Sequence, residues 1–338
     1  MTATLNAETV NKNITYEDQS SNRSQVCEEI LVGLTSSFKY IEPKYFYDEY
    51  GSGLFEKITK TDEYYPTRTE KSILNKYASE IASACGENAI VVEPGCGSCE
   101  KIRLLLDAIR PSLYVPMDIS ADYLQASAAT LSAEYPWLTV RAVAADFSGE
   151  RIIPHDLHVD DVSSLKNSSK PQTMVFYPGS TIGNMTPYQA SDFLTSIRTS
   201  LSSGDGIILG VDLIKPDGIL NAAYNDREGI TAQFNLNILS HINRVASADF
   251  KHDTFLHHAF YNSMAERIEM YLVSKAEQWA EVAGELIYFE KGEMIHTEYS
   301  HKYSLEGIGE LAQSAGFKLE QSWTDDQDYF SVNILRVV

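Results

Sequence analysis

The segment of residues 91–101, V-V-E-P-G-C-G-S-C-E-K, constrains the fold of this chain more than any other stretch. The apolar residues 89–92 predict a buried strand, two glycines then turn the chain, and the run I-R-L-L-L-D-A-I begins a helix. Glycine lets the backbone approach a ligand where a Cβ atom would clash, and the start of a helix supplies free N–H donors. The segment therefore predicts the strand–glycine loop–helix unit on which α/β enzymes bind a nucleotide-like cofactor.

The glycine pattern distinguishes between two kinds of cofactor. The loop contains one G-x-G, formed by Gly95 and Gly97, and follows the acidic Glu93. A dinucleotide site has a third glycine and seats the pyrophosphate at the start of the helix. Because this third glycine is missing, we favour S-adenosylmethionine as the cofactor. An NAD-linked oxidoreductase is kept as the alternative from another enzyme class.

Acidic residues also stand at the ends of the next two predicted strands. One strand ends at Asp118 and the following one at Asp146, which precedes Phe147. In an open parallel sheet, ligands bind outside the carboxyl ends of the strands. We expect Asp118 to accept hydrogen bonds from the ribose hydroxyls and Asp146 to accept one from the adenine amino group, with Phe147 covering the ring. Each residue alone is a weak signal, but the ordered set predicts a nucleoside-bearing cofactor.

The order of the secondary-structure patterns predicts the domain organisation. From residue 70 strands and helices alternate, which calls for a doubly wound parallel sheet. The region 219–298 is first helical and then reads as antiparallel strands, and the C-terminal stretch predicts a helix and a hairpin. We predict an α/β fold with a Rossmann-like sheet and an inserted α+β lobe. The predicted divisions are a loose arm at 1–24, a substrate-binding lobe at 25–69 and 215–302, and a sheet core at 70–214 and 303–338.

Composition excludes several classes of partner. The chain has 27 Lys and Arg against 47 Asp and Glu, a formal net charge of −20. Phosphate binding needs a basic face, so we expect no nucleic-acid partner. No apolar run is long enough to cross a membrane, and the first residues have no signal-peptide pattern. We therefore expect a cytoplasmic protein that acts on a small molecule, without an obligate protein partner.

The cysteines and histidines give weaker signals. Cys96 and Cys99 have the spacing of redox and zinc sites, but they lie inside the glycine turn and have no second ligand pair nearby. We interpret them as incidental loop residues, with a redox or metal role as the alternative. The loop that contains His155, His158 and Asp161 could bind a metal on composition alone. We nevertheless expect no metal site.

Several long motifs resemble one family. They include Y-F-Y-D-E-Y-G-S-G-L-F-E, E-Y-Y-P-T-R-T-E, G-S-T-I-G-N and T-E-Y-S-H-K-Y. They resemble the histidine-specific Nα-methyltransferases of ergothioneine biosynthesis, from about residue 25 to the C-terminus. The resemblance implies a class I methyltransferase sheet and trimethylation of the α-amine of L-histidine to hercynine, the first step of that pathway. Related fungal enzymes that methylate tryptophan or prenylated tryptophan share the scaffold, so this alternative remains open.

The resemblance also implies which residues hold the reacting end of the amino acid. Asn184 matches the residue that holds the α-amine and the carboxylate, and Gly179 begins the same motif. Tyr224 matches a second contact to the carboxylate. Tyr47 and Phe55 match residues near the amine, with Tyr47 in reach of it directly or through water.

Further matches concern the side chain of the substrate and the cofactor. Tyr64, Glu298 and Ser300 match the group that reads the imidazole, and Met270 matches a residue that packs on the ring. The cofactor positions matched by the resemblance are Gly95, Lys101, Asp118, Asp146 and Phe147; the loop argument adds Gly97. Lys101 would pair with the cofactor carboxylate.

These residue types suit methyl transfer to a neutral amine. The main tasks of the protein are then to position the amine and to exclude water, and Tyr47 could accept or relay the departing proton. A buried Glu298 left unpaired by the wrong side chain costs on the order of 1–3 kcal/mol, which favours histidine over tryptophan. A catalytically inactive binding module would not need Asn184 and Tyr47, so we favour an enzyme.

Overall fold

The computed structural model describes residues 13–19, 23–145, 152–154 and 171–338. Two predicted cofactor residues, Asp146 and Phe147, lie outside the described residues. The loop residues considered for metal binding, His155, His158 and Asp161, also lie outside them. The chain divides into two compact units. Unit 1 comprises residues 1–20 and 78–176, and unit 2 comprises residues 21–77 and 177–338.

Helices and strands are numbered in chain order. The helices are α1 Arg23–Thr35, α2 Glu49–Ile58, α3 Pro66–Lys76, α4 Ala78–Cys85, α5 Arg103–Ile109, α6 Ala121–Glu134, α7 Pro187–Thr199, α8 Asp217–Ala223, α9 Ile230–Val245 and α10 Leu305–Ser314. The strands are β1 Ile14–Gln19, β2 Ile90–Pro94, β3 Leu113–Asp118, β4 Val140–Ala145, β5 Thr173–Tyr177, β6 Gly206–Asp212, β7 Phe255–Asn262, β8 Arg267–Ser274, β9 Gln278–Val282, β10 Glu285–Phe289, β11 Met294–His301, β12 Phe317–Thr324 and β13 Phe330–Val337.

Unit 1 is built on parallel strands. Strands β1, β4, β3, β2 and β5 lie side by side in this order, and each neighbouring pair is parallel. Strand β2 is buried along its whole length, as expected for a parallel strand covered on both faces. The α/β architecture with a parallel sheet is confirmed.

Part of the segment that we expect to be a loose arm is ordered. Residues Ile14–Gln19 form β1, which pairs in parallel with β4 from the Ile14–Val140 pair to the Gln19–Ala145 pair. Arg141 of β4 forms a 2.6 Å ion pair with Glu17 of β1. The sequence of β1 is mostly polar because an edge strand is held by its ladder of backbone hydrogen bonds and buries little side-chain surface. The division into arm, lobe and core stays a prediction.

Unit 2 combines helices with antiparallel strands. Strand β8 lies between β7 and β11 in an antiparallel sheet, and β9 and β10 form a separate hairpin. Helix α9 packs on β7 and β8 of this sheet, on α2 and on the 3-10 helix Pro43–Phe46, where Phe234 stacks on Phe46 at 4.5 Å between ring centroids. Strand β13 pairs antiparallel with both β6 and β12. The predicted helical stretch, the antiparallel strands and the C-terminal hairpin are confirmed.

Two helix ends are set by local backbone geometry and hydrogen bonds. Helices α3 and α4 follow one another closely but are separate, because Tyr77 between them leaves the helical conformation at φ −111°. Ser120 precedes α6, and its side chain makes no capping hydrogen bond. Its N–H is instead bound by the Asp118 carboxylate at 3.0 Å. In the part of the chain that the structure describes, no helix has the length and apolar character of a membrane span.

Candidate functional site

The glycine turn after β2 is held from the neighbouring strand. The N–H groups of Gly95 and Cys96 both donate to the carbonyl oxygen of Met117, at 2.8 and 3.0 Å. Gly95 and Gly97 have positive φ angles of 72° and 52°, in the left-handed region that glycine adopts without a steric penalty. A Cβ atom added to Gly97 would meet nothing within 4 Å. The turn is therefore open at Gly97 and has room for a ligand.

Asp118 lies beside this turn, at the carboxyl end of β3. Its Oδ2 accepts the Gly97 N–H and its Oδ1 accepts the Ser120 N–H, each at 3.0 Å. Burial raises the pKa of Asp118, and the backbone hydrogen bonds oppose this shift. An ionised carboxylate offers about four lone-pair sites, so Asp118 can still accept from the hydroxyls of a ribose. The fold thus brings together three of the predicted cofactor residues, Gly95, Gly97 and Asp118.

Lys101 and the loop cysteines lie next to the turn. Lys101 is half-buried and stands two residues before α5 begins, and its role stays a prediction. Cys96 and Cys99 are free, buried thiols. Burial raises the pKa of Cys96, whereas a hydrogen bond with Cys96 lowers the pKa of Cys99. Within the described ranges, no group of three or more His, Cys, Asp or Glu side chains could hold a metal ion.

In unit 2, four aromatic rings form a continuous series. Tyr47 meets Phe55 at 5.8 Å, Phe55 meets Tyr64 at 6.1 Å, and Tyr64 meets Tyr224 at 6.4 Å between centroids, all edge to face. Phe234 of α9 supports Tyr47 and Phe55 at 5.8 and 6.0 Å. Tyr64 and Tyr224 are buried, while Tyr47 is 37% exposed. These four predicted substrate residues therefore line one aromatic wall.

Glu298 and Ser300 lie on one face of β11. They are separated by one residue, and alternate side chains of a strand point to the same face. Glu298 is the register partner of Met270 on β8, and Ser300 is the register partner of Ile268. Burial raises the pKa of Glu298 to about 7, with Lys302 acting in the opposite direction. Among the described residues, none donates a hydrogen bond to the Glu298 carboxylate, and its oxygens are not among the completely enclosed, unpartnered atoms.

A hydrogen-bonded group connects the aromatic wall with β11. The Tyr224 hydroxyl donates to Ser300 Oγ at 2.8 Å. Lys302 Nζ donates to the same oxygen at 2.6 Å and lies 3.4 Å from the Tyr224 oxygen. The Lys302 side chain is completely buried and forms a 2.9 Å ion pair with Asp212. Lys302 thus joins the predicted ring-reading residue Ser300 to a buried carboxylate.

Asp212, at the end of β6, is the centre of this charged group. It also binds Lys215 Nζ at 2.6 Å and accepts the Tyr65 hydroxyl at 2.8 Å. Its N–H donates to Ser180 Oγ at 3.0 Å. Burial lowers the pKa of Lys215 to about 8, and Asp212 opposes this shift. Two lysines and one aspartate leave a net positive charge, which the Glu298 carboxylate can balance.

The G-S-T-I-G-N motif, residues 179–184, packs against β6 and β11. The Gly179 N–H donates to Glu70 Oε1 at 2.8 Å, and Gly179 has a φ of 81°. Asn184 ends the short 3-10 helix Thr181–Asn184, and its amide has no hydrogen-bond partner in the described part of the chain. A Cβ atom on the preceding Gly183 would lie 2.8 Å from the carbonyl oxygen of His301. Asn184 is therefore next to the chain segment that carries Ser300.

The structure groups the sequence-derived residues in two sets, one in each unit. The network adds residues that sequence reasoning missed, which are Glu70, Asp212, Lys215, Phe234 and Lys302. The sequence contained a signal for Lys302. Glu298, Ser300 and Lys302 occupy every second position of the T-E-Y-S-H-K-Y motif, so in a strand their side chains are expected on the same face. Asp212 is the last residue of β6, as Asp118 is the last residue of β3, and this position could have identified it as a candidate site residue.

Comparisons with known proteins add independent findings. Residues 26–337 match the sequence model of a family described as histidine-specific methyltransferase, SAM-dependent. The chain is 41% identical over 313 residues to the histidine N-alpha-methyltransferase of Mycolicibacterium smegmatis, across 90% of this chain and 93% of that protein. It is 39% identical to the protein of the same name from Mycobacterium tuberculosis, over the same shares. It is 30% identical to ergothioneine biosynthesis protein 1 of Neurospora crassa, across 84% of this chain and 32% of that protein.

Proposed function

Because this chain belongs to the family of S-adenosylmethionine-dependent, histidine-specific methyltransferases, we propose that it trimethylates the α-amine of L-histidine to hercynine. The chain matches 93% of the length of two relatives that are named histidine N-alpha-methyltransferase, which supports the histidine α-amine as the methyl acceptor. The relative named for ergothioneine biosynthesis supports a place at the start of that pathway. We further propose that the protein acts in the cytoplasm on a free amino acid.

One observation carries the choice of substrate. Glu298 is buried, yet its carboxylate has no donor in the described residues, and it shares a strand face with Ser300 and Met270. The carboxylate oxygens of Glu298 are not among the completely enclosed, unpartnered atoms, so they stay accessible to a ligand that can donate an N–H. The neutral imidazole of histidine has one such N–H, as an indole does, and it also has a second ring nitrogen that can face Ser300 and an apolar ring face for Met270. This arrangement supports an imidazole between Glu298, Ser300 and Met270.

The residues at the other end of the substrate would orient the amine. Bound S-adenosylmethionine supplies an electrophilic methyl group. Its methionine part would lie against Gly95 and Gly97, its ribose hydroxyls would be bound by Asp118, and its carboxylate would pair with Lys101. Asn184 can bind the α-amine and the carboxylate without adding a charge. The second contact to the carboxylate that we propose for Tyr224 would compete with the hydrogen bond that its hydroxyl donates to Ser300 Oγ. Tyr47 is the residue that would receive or relay the proton of the amine.

The aromatic wall suits three successive transfers. Each methyl group makes the nitrogen larger, and the product is a permanent cation that cannot be neutralised by loss of a proton. Aromatic faces attract such a cation by about 0.5–2 kcal/mol, and they do not compete as hydrogen-bond donors. Tyr47 and Phe55, 5.8 Å apart, would supply these faces.

A direct assay tests this proposal. The protein is incubated with S-adenosylmethionine and with either L-histidine or L-tryptophan, and the masses of the products are measured by mass spectrometry. We expect histidine to gain one, two and then three methyl groups, and tryptophan to remain unchanged. Methylated tryptophan without methylated histidine would establish the alternative substrate. Stabilisation of the protein by NAD, and none by S-adenosylhomocysteine, would support the oxidoreductase instead.

A further inference from the structure

Ser300 accepts two hydrogen bonds inside the protein. Lys302 Nζ donates to its Oγ at 2.6 Å and the Tyr224 hydroxyl donates at 2.8 Å. A serine hydroxyl has two acceptor lone pairs and one hydrogen. Since both lone pairs are used, only the hydrogen of Ser300 is available to a ligand. Ser300 is 4% exposed, so its hydroxyl is enclosed by the protein on most sides.

The direction of these hydrogen bonds depends on Lys302. The Lys302 ammonium group has three donors and no acceptor, so it can only donate to Ser300 Oγ and can never accept the hydrogen of Ser300. Burial lowers the pKa of Lys302, but the ion pair with Asp212 and the hydrogen bond to Tyr224 outweigh this effect and raise the pKa above its ordinary value. Lys302 therefore stays charged. Asp212 is itself fixed by Lys215 and Tyr65, so the ammonium group is anchored on its far side.

We propose that Lys302 is a positioning residue that makes Ser300 an obligatory hydrogen-bond donor, and that the site thereby selects a side-chain ring with one N–H donor and one acceptor nitrogen. This inference rests on the proposed function. Glu298 offers the acceptor for the ring N–H, and Ser300, two residues along the same strand face, offers the donor for the other nitrogen. A neutral azole ring satisfies both groups. A pyrrole or indole ring has a donor only and leaves the Ser300 hydrogen facing a C–H group.

The test compares two substrates in two proteins. Histidine and 3-(pyrrol-2-yl)alanine have five-membered rings of nearly equal size, but the pyrrole lacks the acceptor nitrogen. We expect the unmodified protein to prefer histidine by at least roughly hundredfold in kcat/KM, since a site built to hydrogen-bond a ligand strongly rejects the analogue that lacks the partner. In Lys302→Met the Ser300 hydroxyl can turn its hydrogen into the vacated space. The preference for histidine should then fall by roughly tenfold or more.

The ratio of kcat/KM for histidine to kcat/KM for the pyrrole distinguishes a positioning role of Lys302 from a general structural role. A structural role would lower kcat/KM for both substrates equally and leave their ratio unchanged, and that result would overturn the proposal. Dissociation constants in the presence of S-adenosylhomocysteine, measured by calorimetry, give the same ratio without turnover. The matched control is Lys39→Met, which removes another partly buried lysine of unit 2, paired with Glu293. This control should keep the ratio of the unmodified protein.

Two further measurements keep the proposal testable if Lys302→Met does not fold. Ser300→Ala removes the donor itself, so its preference for histidine over the pyrrole should also collapse; a preserved ratio contradicts the inference. Equal binding of both compounds by the unmodified protein contradicts it without any variant. If the unmodified protein neither binds nor methylates histidine, the proposed function fails. If histidine is methylated but no variant changes the ratio, only the inference about Lys302 fails.

Discussion

Glu298 and Met270 are register partners on the neighbouring strands β11 and β8, so a buried carboxylate and a buried thioether share one face of the sheet. A β-bulge in β11 between His296 and Glu298 produces this pairing. His296 pairs with Tyr271 and Glu298 pairs with Met270, which are consecutive residues of β8 that point to opposite faces. The bulge therefore places Glu298 on the opposite face of the sheet from His296. The predicted effects of replacing Glu298 on histidine methylation and on the pH dependence of stability depend on this placement.

Replacement of Glu298 by alanine should reduce histidine methylation selectively. The substrate loses the acceptor for its ring N–H, a hydrogen bond to a charged group that contributes about 1.5–3 kcal/mol, so kcat/KM should fall roughly tenfold to hundredfold. Affinity for S-adenosylhomocysteine should stay nearly unchanged, because Asp118 and the glycine turn belong to the other unit. Steady-state kinetics and calorimetry measure the two effects. Unchanged histidine kinetics would remove the role of Glu298 in specificity.

The raised pKa of Glu298 should appear in the pH dependence of stability. Its pKa is about 7 in the folded protein and 4.5 ordinarily, so its contribution to stability is fully present below pH 4.5 and is lost as the pH rises to about 7. The difference corresponds to on the order of 3 kcal/mol. Glu298→Gln does not titrate and should therefore gain stability relative to the unmodified protein across this interval. Urea unfolding at several pH values measures the change.

Glu269 provides the matched control, because its shift has the opposite sign. Burial raises its pKa, but hydrogen bonds from Tyr271, Arg267 and Asn262 outweigh burial and lower the pKa below the ordinary value. Its contribution to stability is present above the ordinary pKa and is lost as the pH falls. Glu269→Gln should thus lose stability relative to the unmodified protein as the pH rises. Slopes of the same sign for both variants would contradict the assignment.

Asp118→Asn should weaken cofactor binding. The carboxylate now binds two backbone N–H groups, from Gly97 and Ser120, and an amide side chain has only one acceptor oxygen. We expect the affinity for S-adenosylhomocysteine to fall at least roughly tenfold, in line with the loss of a charge-assisted hydrogen bond. Isothermal calorimetry with S-adenosylhomocysteine alone measures this. Asp122→Asn, an exposed change in the first turn of α6, should bind as the unmodified protein does.

Gly210→Ala should destabilise the surroundings of Gly179. A Cβ atom at position 210 would lie 2.0 Å from Glu70 Oε1 and 3.2 Å from the Gly179 nitrogen, so the hydrogen bond between these two groups has to shift. We expect a loss of about 1–3 kcal/mol in the free energy of unfolding, as for other overpacked sites. Gly218→Ala is the control, since its Cβ meets nothing within 4 Å. Equal stabilities of the two variants would show that position 210 tolerates a side chain.

Predictions from the sequence succeeded where a local pattern carries the structure. The strand, glycine turn and helix around Gly95 are set by an apolar run, two residues with positive φ and a second apolar run, all within a short stretch. The same holds for Asp118, because the end of a strand can be read from the sequence. The aromatic wall was harder to predict, since Tyr47 and Tyr224 are far apart in the chain and only the resemblance linked them.

The amino-acid sequence by itself determined the α/β class, the parallel strands of unit 1, the C-terminal hairpin and the family, because these depend on periodicity, turn residues and long contiguous motifs. Only the tertiary structure decided which face of β11 carries Glu298, since one bulge reverses the alternation. It also decided that Asp212, Lys215 and Lys302 form one buried cluster. Such a cluster depends on long-range contacts between β6 and the end of β11, and no local pattern records how buried charges are paired or which hydroxyl lone pairs they occupy.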